Sequence, residues 1–327
     1  MADERFEAVP IPQWSSHDAT AKERCLSQII RWCTSPAMSG LVEHFGGEPS
    51  VHDSGSYLEW LDDFAASHWD YRAGAERNLV PDRRASPETE DLVLNASRAL
   101  GLDATYQPEH HDYDAILVLG GLLRACLARP TYARQVLDQG VRARSVVALG
   151  GFRPLAGDEL ELASPLELPG EQLDEFHAMV EGVTRAFGPL GDPAVSEERA
   201  DSLESSSLVY RYAGPPEVTV VAAPSSAPEQ RRANTRDTYK YWIEQIAPLP
   251  CGSKVLVITT AIYVPYQGCV AIESLGVSHG LTVETIGVAN DSPLFGLSPQ
   301  RLKWSNYLQE IRSAIGGMLA LYRSLSP

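Results

Sequence analysis

The sequence predicts an α/β protein, with a Rossmann-like, doubly wound, mostly parallel sheet that follows an N-terminal helical region. Five short runs of continuous apolar residues lie after about residue 105, and segments with helical periodicity separate them. Continuous apolar runs are typical of strands that are covered on both faces. Because strand and helix alternate, a parallel sheet with right-handed crossovers is expected.

The first segment, residues 1–105, is predicted to be a helical cap region. Apolar residues recur at helical spacing in "ATAKERCLSQIIRWC" and "SYLEWLDDFAASHW". The stretch "SPETEDLVLNASRALG" begins with Ser86 in a capping-box-like position and ends at Gly101, which indicates one further helix.

The second segment, residues 106–297, is predicted to be the α/β domain. Its expected strands are "AILVLGG", "SVVALGG", "EVTVVAA", "KVLVITT" and "LTVETIGVA". Its expected helices are "PTYARQVLDQG", "GEQLDEFHAMVEGVTRAFG", "PEQRRANTRDTYKYWIEQI" and "YQGCVAIESLG". The segment from Pro189 to Pro216 is rich in Glu, Ser, Gly and Pro, so we expect a mobile excursion or lid there.

The third segment, residues 298–327, is predicted to be one helix that packs on the α/β domain. This helix is expected to start at Ser298 with Pro299 in its first turn, where proline is favoured.

Composition and charge narrow the class of partner. The chain has 327 residues and a formal net charge of −16, so its surface repels nucleic acid and anionic membranes. The N-terminus resembles no signal peptide, and no apolar run approaches the roughly 20 residues that cross a bilayer. Five cysteines without CxxC spacing indicate reduced, mostly buried thiols, and we expect a cytoplasmic protein with a small-molecule ligand.

The strand ends are the candidate ligand site, since ligands of open parallel sheets bind beyond the carboxyl ends of the strands. Gly120 and Gly121 end the first predicted strand, and Gly150 and Gly151 end the second. Paired glycines let a ligand approach the backbone and present amide groups to an anion or a ribose. The alternative is that each pair only turns the chain.

Arg129 is the candidate clamp for an anionic group. It precedes Pro130, which fits the first position of a helix, so its guanidinium is expected near the positive end of that helix. Guanidinium groups bind carboxylate and phosphate in a bidentate manner. The alternative is a solvated surface arginine.

The order and spacing of "DAILVLGG", "RPTYARQVLDQG", "SVVALGG", "GEQLDEF", "RRANTRDTYKYW" and "KVLVITTAIYVPYQGCVAIESLG" resemble the bacterial YdcF/SanA/ElyC-like domain of unknown function. The resemblance covers about Asp114 to Gly287 and implies a Rossmann-like fold that binds S-adenosylmethionine. It implies a site that contains Gly120, Gly121, Arg129, Gly150, Gly151, Glu171, Asn234, Thr235 and Thr259.

The chain also departs from that family's pattern. Asp237 and Thr238 end the motif "NTRDT", and Tyr263 and Tyr266 replace a usual histidine and arginine. Because tyrosine titrates near pH 10, a hydrolytic mechanism that needs the histidine is in doubt. The tyrosines are expected instead to stack on an adenine or a sulfonium cation.

The predicted roles combine these observations. The candidate catalytic residues are Arg129, Glu171 and Tyr263. The candidate cofactor-binding residues are Gly120, Gly121, Arg129, Gly150, Gly151, Asn234, Thr235, Thr259, Thr260 and Tyr266. Plain helix capping is the alternative for Asn234 and Thr235.

Two further stretches are weaker candidates. "SHWDYRAGAERN", His68 to Asn78, is either a flap over the strand ends or an ordinary helix end. "EHHDYD" suggests a metal site, but adjacent histidines before a strand point to opposite sides, so no metal is expected.

Three functions remain open from the sequence. The first is an enzyme, with a transferase as one candidate, that binds an adenosyl or nucleotide-like ligand, and the resemblance favours S-adenosylmethionine. Alkyl transfer from that ligand depends on positioning more than on acid–base groups, so it does not need the missing histidine. The second is a hydrolase or phosphatase that acts on a phosphorylated or glycosylated small molecule. The third is a non-catalytic ligand-binding regulatory protein. The oligomeric state is not predicted.

Overall fold

The computed structural model describes residues 6–51, 53–71, 83–104, 106–164, 174–293 and 300–326. These residues form an α/β fold with a seven-stranded, mostly parallel sheet, which confirms the predicted Rossmann-like class. Helices precede the sheet in the chain, pack on both of its faces and follow it at the C-terminus.

The helical region begins the described chain. Its helices are α1 (Ala21–Cys33), α2 (Pro36–His44), α3 (Ser54–Trp69) and α4 (Pro87–Ala99). A side chain caps three of them, because Ser35, Asp53 and Ser86 each accept a hydrogen bond from a backbone amide of the first turn. The predicted helix start at Ser86 is therefore confirmed.

The sheet contains all five predicted strands and two more. In chain order the strands are β1 (Asp112–Leu119), β2 (Arg142–Gly150), β3 (Ala194–Glu198), β4 (Ser207–Tyr212), β5 (Glu217–Ala222), β6 (Lys254–Thr260) and β7 (Thr282–Val288). Their spatial order is β3-β4-β5-β2-β1-β6-β7. The five strands β5, β2, β1, β6 and β7 are parallel to one another. At the edge, β4 is antiparallel to both β3 and β5.

Helices cover both faces of the sheet. They are α5 (Leu123–Asp138), α6 (Asp158–Ala163), α7 (Glu175–Phe187), α8 (Thr235–Tyr241) and α9 (Val264–Ala271). Short π-helical turns extend α8 through Ile246 and α9 through Val277. Helices α5 and α7 pack on one face with Ile116 and Val118 of β1, and α8 and α9 pack on the other with Leu117.

The last helix, α10 (Trp304–Leu325), joins the two parts of the chain. Its buried residues share one apolar cluster with α1 to α4 and with Cys269 of α9. Asn290, just after β7, reinforces this connection because its Nδ2 donates to the carbonyl of Leu102 (3.1 Å) and to the Tyr307 hydroxyl (3.2 Å).

Several predicted boundaries were wrong. Pro130 lies inside α5, seven residues after its start, because the helix already begins at Leu123. The C-terminal helix begins at Trp304, and the predicted start at Ser298 lies outside the described residues. Helix α7 begins at Glu175, since Asp174 caps it by accepting from the amide of His177.

The expectation of a lid between Pro189 and Pro216 was also wrong. This segment contributes β3 and β4 to the sheet, and β4 pairs with β5 from Leu208 to Tyr212. Only the turn between the two strands lies near the strand ends, where Leu203 is 63% exposed.

Two global expectations concern cysteines and membranes. All five cysteines are unpaired, and four of them are buried, as predicted. Within the described residues, every helix is too short or too polar to span a bilayer.

Candidate functional site

The direction in which strands are added to the sheet reverses between β1 and β6. After β1 the chain adds β2 and β5 on one side, and it later adds β6 and β7 on the other. Connections therefore leave the carboxyl ends of β1 and β6 in opposite directions, and such a switch point opens a crevice in parallel sheets.

A cavity of about 420 Å³ lies over the ends of β1, β2 and β5, and we call it the glycine-turn cavity. Its lining brings together eight of the residues predicted from the sequence: Gly120, Gly121, Arg129, Gly150, Gly151, Asn234, Thr235 and Tyr263. Loops more than a hundred residues apart in the chain thus meet at one rim.

Gly120 is required by a close approach of Glu175. A Cβ at position 120 would lie 2.2 Å from Glu175 Oε1 and 2.5 Å from the carbonyl oxygen of Leu149. The first glycine turn therefore holds a carboxylate of the protein itself against the backbone. This space was predicted to accept a ligand, but Glu175 occupies part of it.

Glu175 lies at the first position of α7 and lines the glycine-turn cavity. Its side chain is 16% exposed, and burial raises its pKa, although the neighbouring Arg153 opposes this shift. Arg153 Nε donates to Glu175 Oε2 at 3.3 Å. A carboxyl group with a raised pKa in a cleft can transfer protons near neutral pH.

A second carboxylate, Glu159, closes the N-terminus of α5. It is 1% exposed and accepts from the amide of Leu123 at 2.8 Å. Arg153 donates to both of its oxygens, at 2.7 and 2.8 Å. Burial raises the pKa of Glu159, but the hydrogen bonds from Arg153 and two backbone amides outweigh it and lower the pKa overall.

This arrangement has a consequence for ligand binding. In many sheets of this kind, a ligand phosphate binds the N-terminus of the helix after the first strand. Here the Glu159 carboxylate bonds to the first amide of α5, and Arg153 Nη2 donates to the carbonyl of Gly121 at 3.0 Å. The protein's own ion pair fills the position that a phosphate takes in such folds.

The second glycine turn differs at its two positions. A Cβ at Gly150 would lie 3.2 Å from the Cα of Phe176, so this position is tightly packed against α7. A Cβ at Gly151 would meet nothing within 4 Å, although the residue lines the cavity. Gly151 therefore borders open space that a ligand can enter.

Arg129 does not extend from a helix N-terminus as predicted. It lies in the middle of α5, is 3% exposed, and binds the ends of two strands. Its Nη1 donates to the carbonyls of Leu119 (2.9 Å) and Gly120, and its Nε donates to Thr260 Oγ1 at 3.1 Å. Arg129 thus joins β1 to β6 at the switch point, and its guanidinium lies 5.6 Å from the ring centroid of Tyr263.

The start of α8 forms the opposite wall. Asn234 caps the helix by accepting from the amide of Asp237 at 3.1 Å, and the Asp237 carboxylate accepts in return from the amide of Asn234. Arg231 also binds this carboxylate. Burial opposes the effect, but these hydrogen bonds lower the pKa of Asp237 to about 2.

Four arginines line the glycine-turn cavity even though the whole chain is acidic: Arg129, Arg153, Arg231 and Arg232. The acids Glu175 and Glu204 also line it, and Glu159 and Asp237 bind Arg153 and Arg231. The guanidinium groups offer an anion several charged hydrogen-bond donors at one rim.

Gln267 of α9 also lines the glycine-turn cavity. Its Oε1 atom is buried and has no hydrogen-bond partner among the described residues. An acceptor of this kind is satisfied by a hydroxyl or amino group of a ligand, or by water.

The other predicted site residues lie elsewhere. Thr260 accepts from Arg129. Thr259 lies in β6 opposite Gly287 of β7, is completely buried, and has an Oγ1 without a partner within the described part of the chain. Tyr266 packs against α10, where its ring would lie 3.1 Å from a Cβ at Gly317. Glu171 lies outside the described residues.

A second cavity of about 460 Å³ adjoins the first, and we call it the interdomain cavity. It is bounded by Tyr71 and Arg83 of the helical region, by Arg124 of α5, and by Glu310 of α10. Arg129 and Tyr263 line both cavities and separate them. The predicted flap, His68 to Asn78, lies mostly outside the described residues, but Tyr71 belongs to its described part.

Sequence reasoning missed Glu175, Arg153 and Arg231. Glu175 lies in "GEQLDEF", four residues after the predicted Glu171, and a cap at Asp174 predicts Glu175 in the first helical turn. Arg153 follows the second glycine pair by two residues, which was the available signal. Within the described ranges, no group of three or more His, Cys, Asp or Glu side chains is arranged to hold a metal.

Comparisons with known proteins overturn the resemblance drawn from the motifs. Residues 16–101 match the family model "Rv3785 N-terminal domain". The chain is 29% identical over 347 residues to uncharacterized protein Rv3785 of Mycobacterium tuberculosis, a match that covers 97% of this chain and 94% of that protein. Uncharacterized protein Mb3814 of Mycobacterium bovis matches with the same identity and coverage.

No solved structure matches this chain. The assignment to the YdcF/SanA/ElyC-like family was therefore wrong, since the family model and the relatives are those of Rv3785. Short apolar strands that end in Gly-Gly occur in many α/β sheets, and their order did not distinguish between families. The chain is similar to the Rv3785 proteins along nearly its whole length.

Proposed function

We propose that this chain binds a small, anionic, nucleotide-like molecule in the glycine-turn cavity. The observation that carries the proposal is the cavity itself, a space of about 420 Å³ at the carboxyl ends of β1, β2 and β5 with four arginines in its lining. Its volume lies in the range of small-molecule sites, and its place beside the switch point is where sheets of this type bind ligands.

The charges favour a phosphate or a carboxylate over a cation. Arg153 is bound by Glu159 and Glu175, and Arg231 is bound by Asp237, so these two arginines are held in fixed positions. An anion that approaches Arg231 and Arg232 adds charge-assisted hydrogen bonds to a framework that is already ordered. The Gln267 oxygen suits a hydroxyl or amino group of the same ligand.

These features favour a phosphorylated nucleoside over S-adenosylmethionine. The sulfonium of S-adenosylmethionine is repelled by the arginines, although its carboxylate and adenosine parts fit the same site. Both compounds therefore belong in the test, together with uncharged adenosine.

The test is a calorimetric titration of the whole chain with ADP, S-adenosylmethionine and adenosine. We expect ADP to bind best, because two phosphates meet the arginines. A ligand at 100 times its dissociation constant also raises the free energy of unfolding by about 2.7 kcal/mol, which thermal unfolding detects.

Two variants connect this binding to the cavity. Gly151→Leu places a side chain in the open space, and Asn234→Asp keeps the helix cap but adds a negative charge at the wall. We expect each to weaken ADP binding at least tenfold. Gly214→Leu is the matched control, since Gly214 is exposed and away from the cavity. Equal affinity in all four proteins would refute the proposal.

Catalysis is the second candidate, and the position of Glu175 favours it. This carboxyl group lines the cavity, is mostly buried and has a raised pKa, as a group that transfers protons requires. Glu175 would then serve a transferase or a hydrolase that acts on a phosphorylated compound. A regulatory binding protein needs no such group.

Incubation of the chain with ADP and with p-nitrophenyl phosphate separates these possibilities. An enzyme forms product, and Glu175→Gln slows that reaction more than tenfold while calorimetric ADP binding persists. If ADP and the ester are recovered unchanged, hydrolysis of phosphate esters is excluded and ligand binding alone is favoured. Small anionic molecules in the cytoplasm are the partners we propose; the five free thiols support this location, and the net charge of −16 argues against nucleic acid.

A further inference from the structure

The interdomain cavity has the features of a second ligand site. It measures about 460 Å³ and lies between the helical region, α10 and the strand ends. Its walls come from parts of the chain that are far apart in sequence, including Tyr71, Arg124, Asn290 and Glu310. The glycine-turn cavity borders it but shares only Arg129 and Tyr263 of its lining.

Two cations of the interdomain cavity have no ion-pair or hydrogen-bond partner within the described chain, although the acids Asp158, Glu159 and Glu310 also line it. They are Arg124 of α5, which is partly buried, and Arg301, which is exposed and precedes α10. Holding a partly buried guanidinium without a partner costs free energy that a bound anion recovers. Arg83, which stacks over the Tyr71 ring at 4.2 Å, adds a third positive charge to the same wall.

The remaining wall is rich in amide and hydroxyl groups. Gln300, Ser292, Ser305 and Asn306 line the cavity together with the two tyrosines. Hydrogen bonds connect the segments that line the cavity. Gln309 of α10 accepts from the amide of Tyr71 at 2.7 Å, and Asn290 accepts from the amide of Ile262 at 2.9 Å. Amides and hydroxyls both donate and accept, which suits a ligand with several hydroxyl groups.

We propose that the interdomain cavity binds a small phosphorylated, hydroxyl-rich molecule of the sugar phosphate class, as a second ligand beside the one in the glycine-turn cavity. The phosphate lies against Arg124 and Arg301, and the hydroxyls face the amide and hydroxyl side chains. The two ligands then meet on opposite sides of Arg129 and Tyr263. The site stands on its own lining and does not depend on the first ligand.

Calorimetric titration of the whole chain with ribose 5-phosphate, ribose and inorganic phosphate tests this site. We expect ribose 5-phosphate to bind at least tenfold more tightly than either of its parts. Equal affinity for inorganic phosphate would overturn the recognition of hydroxyls, and the absence of saturable binding by ribose 5-phosphate would overturn the site.

Variants locate the binding and separate it from the proposed function. Arg124→Gln removes a cation that has no partner within the described residues, and Ala128→Met fills the cavity without a change in charge. Each is expected to weaken ribose 5-phosphate binding at least tenfold. Arg134→Gln, on the same helix but in an exposed ion pair with Asp138, is the matched control and is expected to bind like the wild type.

Gly151→Leu distinguishes the two cavities. It is expected to lose ADP and to keep ribose 5-phosphate, whereas Arg124→Gln shows the reverse. Thermal unfolding confirms that each variant is folded. If Arg124→Gln and Ala128→Met bind ribose 5-phosphate as the wild type does, the interdomain cavity is not its site, whatever the result with ADP.

Discussion

Arg129 connects the two halves of the sheet at the point where the crevice opens. It donates to the carbonyls that end β1 and to Thr260 at the end of β6, and it is almost completely buried. Its first role is therefore structural, and any ligand contact would come in addition to these bonds.

Replacement of Arg129 by alanine tests this structural role. Arg129→Ala leaves the carbonyls of Leu119 and Gly120 without this donor, so we expect the free energy of unfolding to fall by roughly 2–4 kcal/mol. Urea denaturation measures the change. Arg134→Ala, in an exposed pair on the same helix, should change it by less than about 0.5 kcal/mol. Equal effects would contradict the assignment.

Glu175 predicts a pH dependence whose sign follows from its environment. Burial raises its pKa in the folded chain above the usual value of about 4.5, so the folded state holds its proton to higher pH than the unfolded state. The stability that the protonated Glu175 contributes is therefore fully present below the pKa of the unfolded state. It is lost as the pH rises through the pKa of the folded state.

Glu175→Gln removes this titration. From about pH 4.5 upward, we expect the wild type to lose stability relative to the variant, and urea denaturation at a series of pH values measures the difference. Glu197→Gln, which alters an exposed carboxylate of β3, is the control. A difference between wild type and Glu175→Gln that does not change with pH would contradict the raised pKa.

The sequence predicted the glycine turns but not the side chains that fill them. Gly120 and Gly151 were identified because glycine marks close approaches and turns. What approaches Gly120 is Glu175, fifty-five residues later, and neither propensity nor spacing encodes that pairing. The predicted position of Arg129 at a helix start is wrong, because α5 begins at Leu123 and contains Pro130 in its interior.

At the scale of elements, α5 and α7 pack side by side on one face of the sheet. Gly182 permits this contact, since a Cβ there would lie 1.9 Å from the carbonyl oxygen of Cys126 in α5. Both helices place residues at the rim, Arg129 from α5 and Glu175 from α7, so their spacing determines the shape of the site.

Two substitutions of helical glycines by alanine are expected to change the free energy of unfolding differently. Gly182→Ala should lower the free energy of unfolding by roughly 1–3 kcal/mol, because overpacking against a backbone exceeds the gain in helix propensity. Gly268→Ala in α9 meets only Thr285 at 3.8 Å, so it should be neutral or stabilising by up to about 1 kcal/mol. Urea denaturation of both variants checks the prediction, and a loss of equal size at both positions would contradict the close contact.

The strands with continuous apolar sequences could be predicted, whereas the strands that depend on pairing with a neighbouring strand could not. The five strands β1, β2, β5, β6 and β7 read as continuous apolar runs because helices cover both of their faces. Strand β3 is exposed along its whole length and carries Ser and Glu, so its sequence lacks an apolar signal. Strand β4 is specified by its pairing with β5.

In the whole molecule, α10 connects the N-terminal helical region to the sheet region. This helix shares an apolar cluster with α1 to α4 and also packs on α9 of the sheet domain. The interdomain cavity therefore lies between parts that a common core holds together. The domain boundaries at residues 105 and 297 stay a prediction.

The shared core predicts that the two regions unfold together. Near-ultraviolet and far-ultraviolet circular dichroism should give coincident urea transitions, because the buried Trp32 and Trp69 of the helical region depend on contacts with α10. Gly182→Ala, in the sheet domain, should shift both signals by the same amount. Two separate transitions would contradict a common core.

The central claim is that distant loops form one anion-binding rim at the carboxyl ends of β1, β2 and β5. A crystal structure of the whole chain grown with ADP tests it most directly. We expect ADP beside Gly151 and Asn234, with a phosphate oxygen within hydrogen-bond distance of the Arg231 or Arg232 guanidinium. ADP bound on another face, or a rim left without ADP at millimolar concentration, would contradict it.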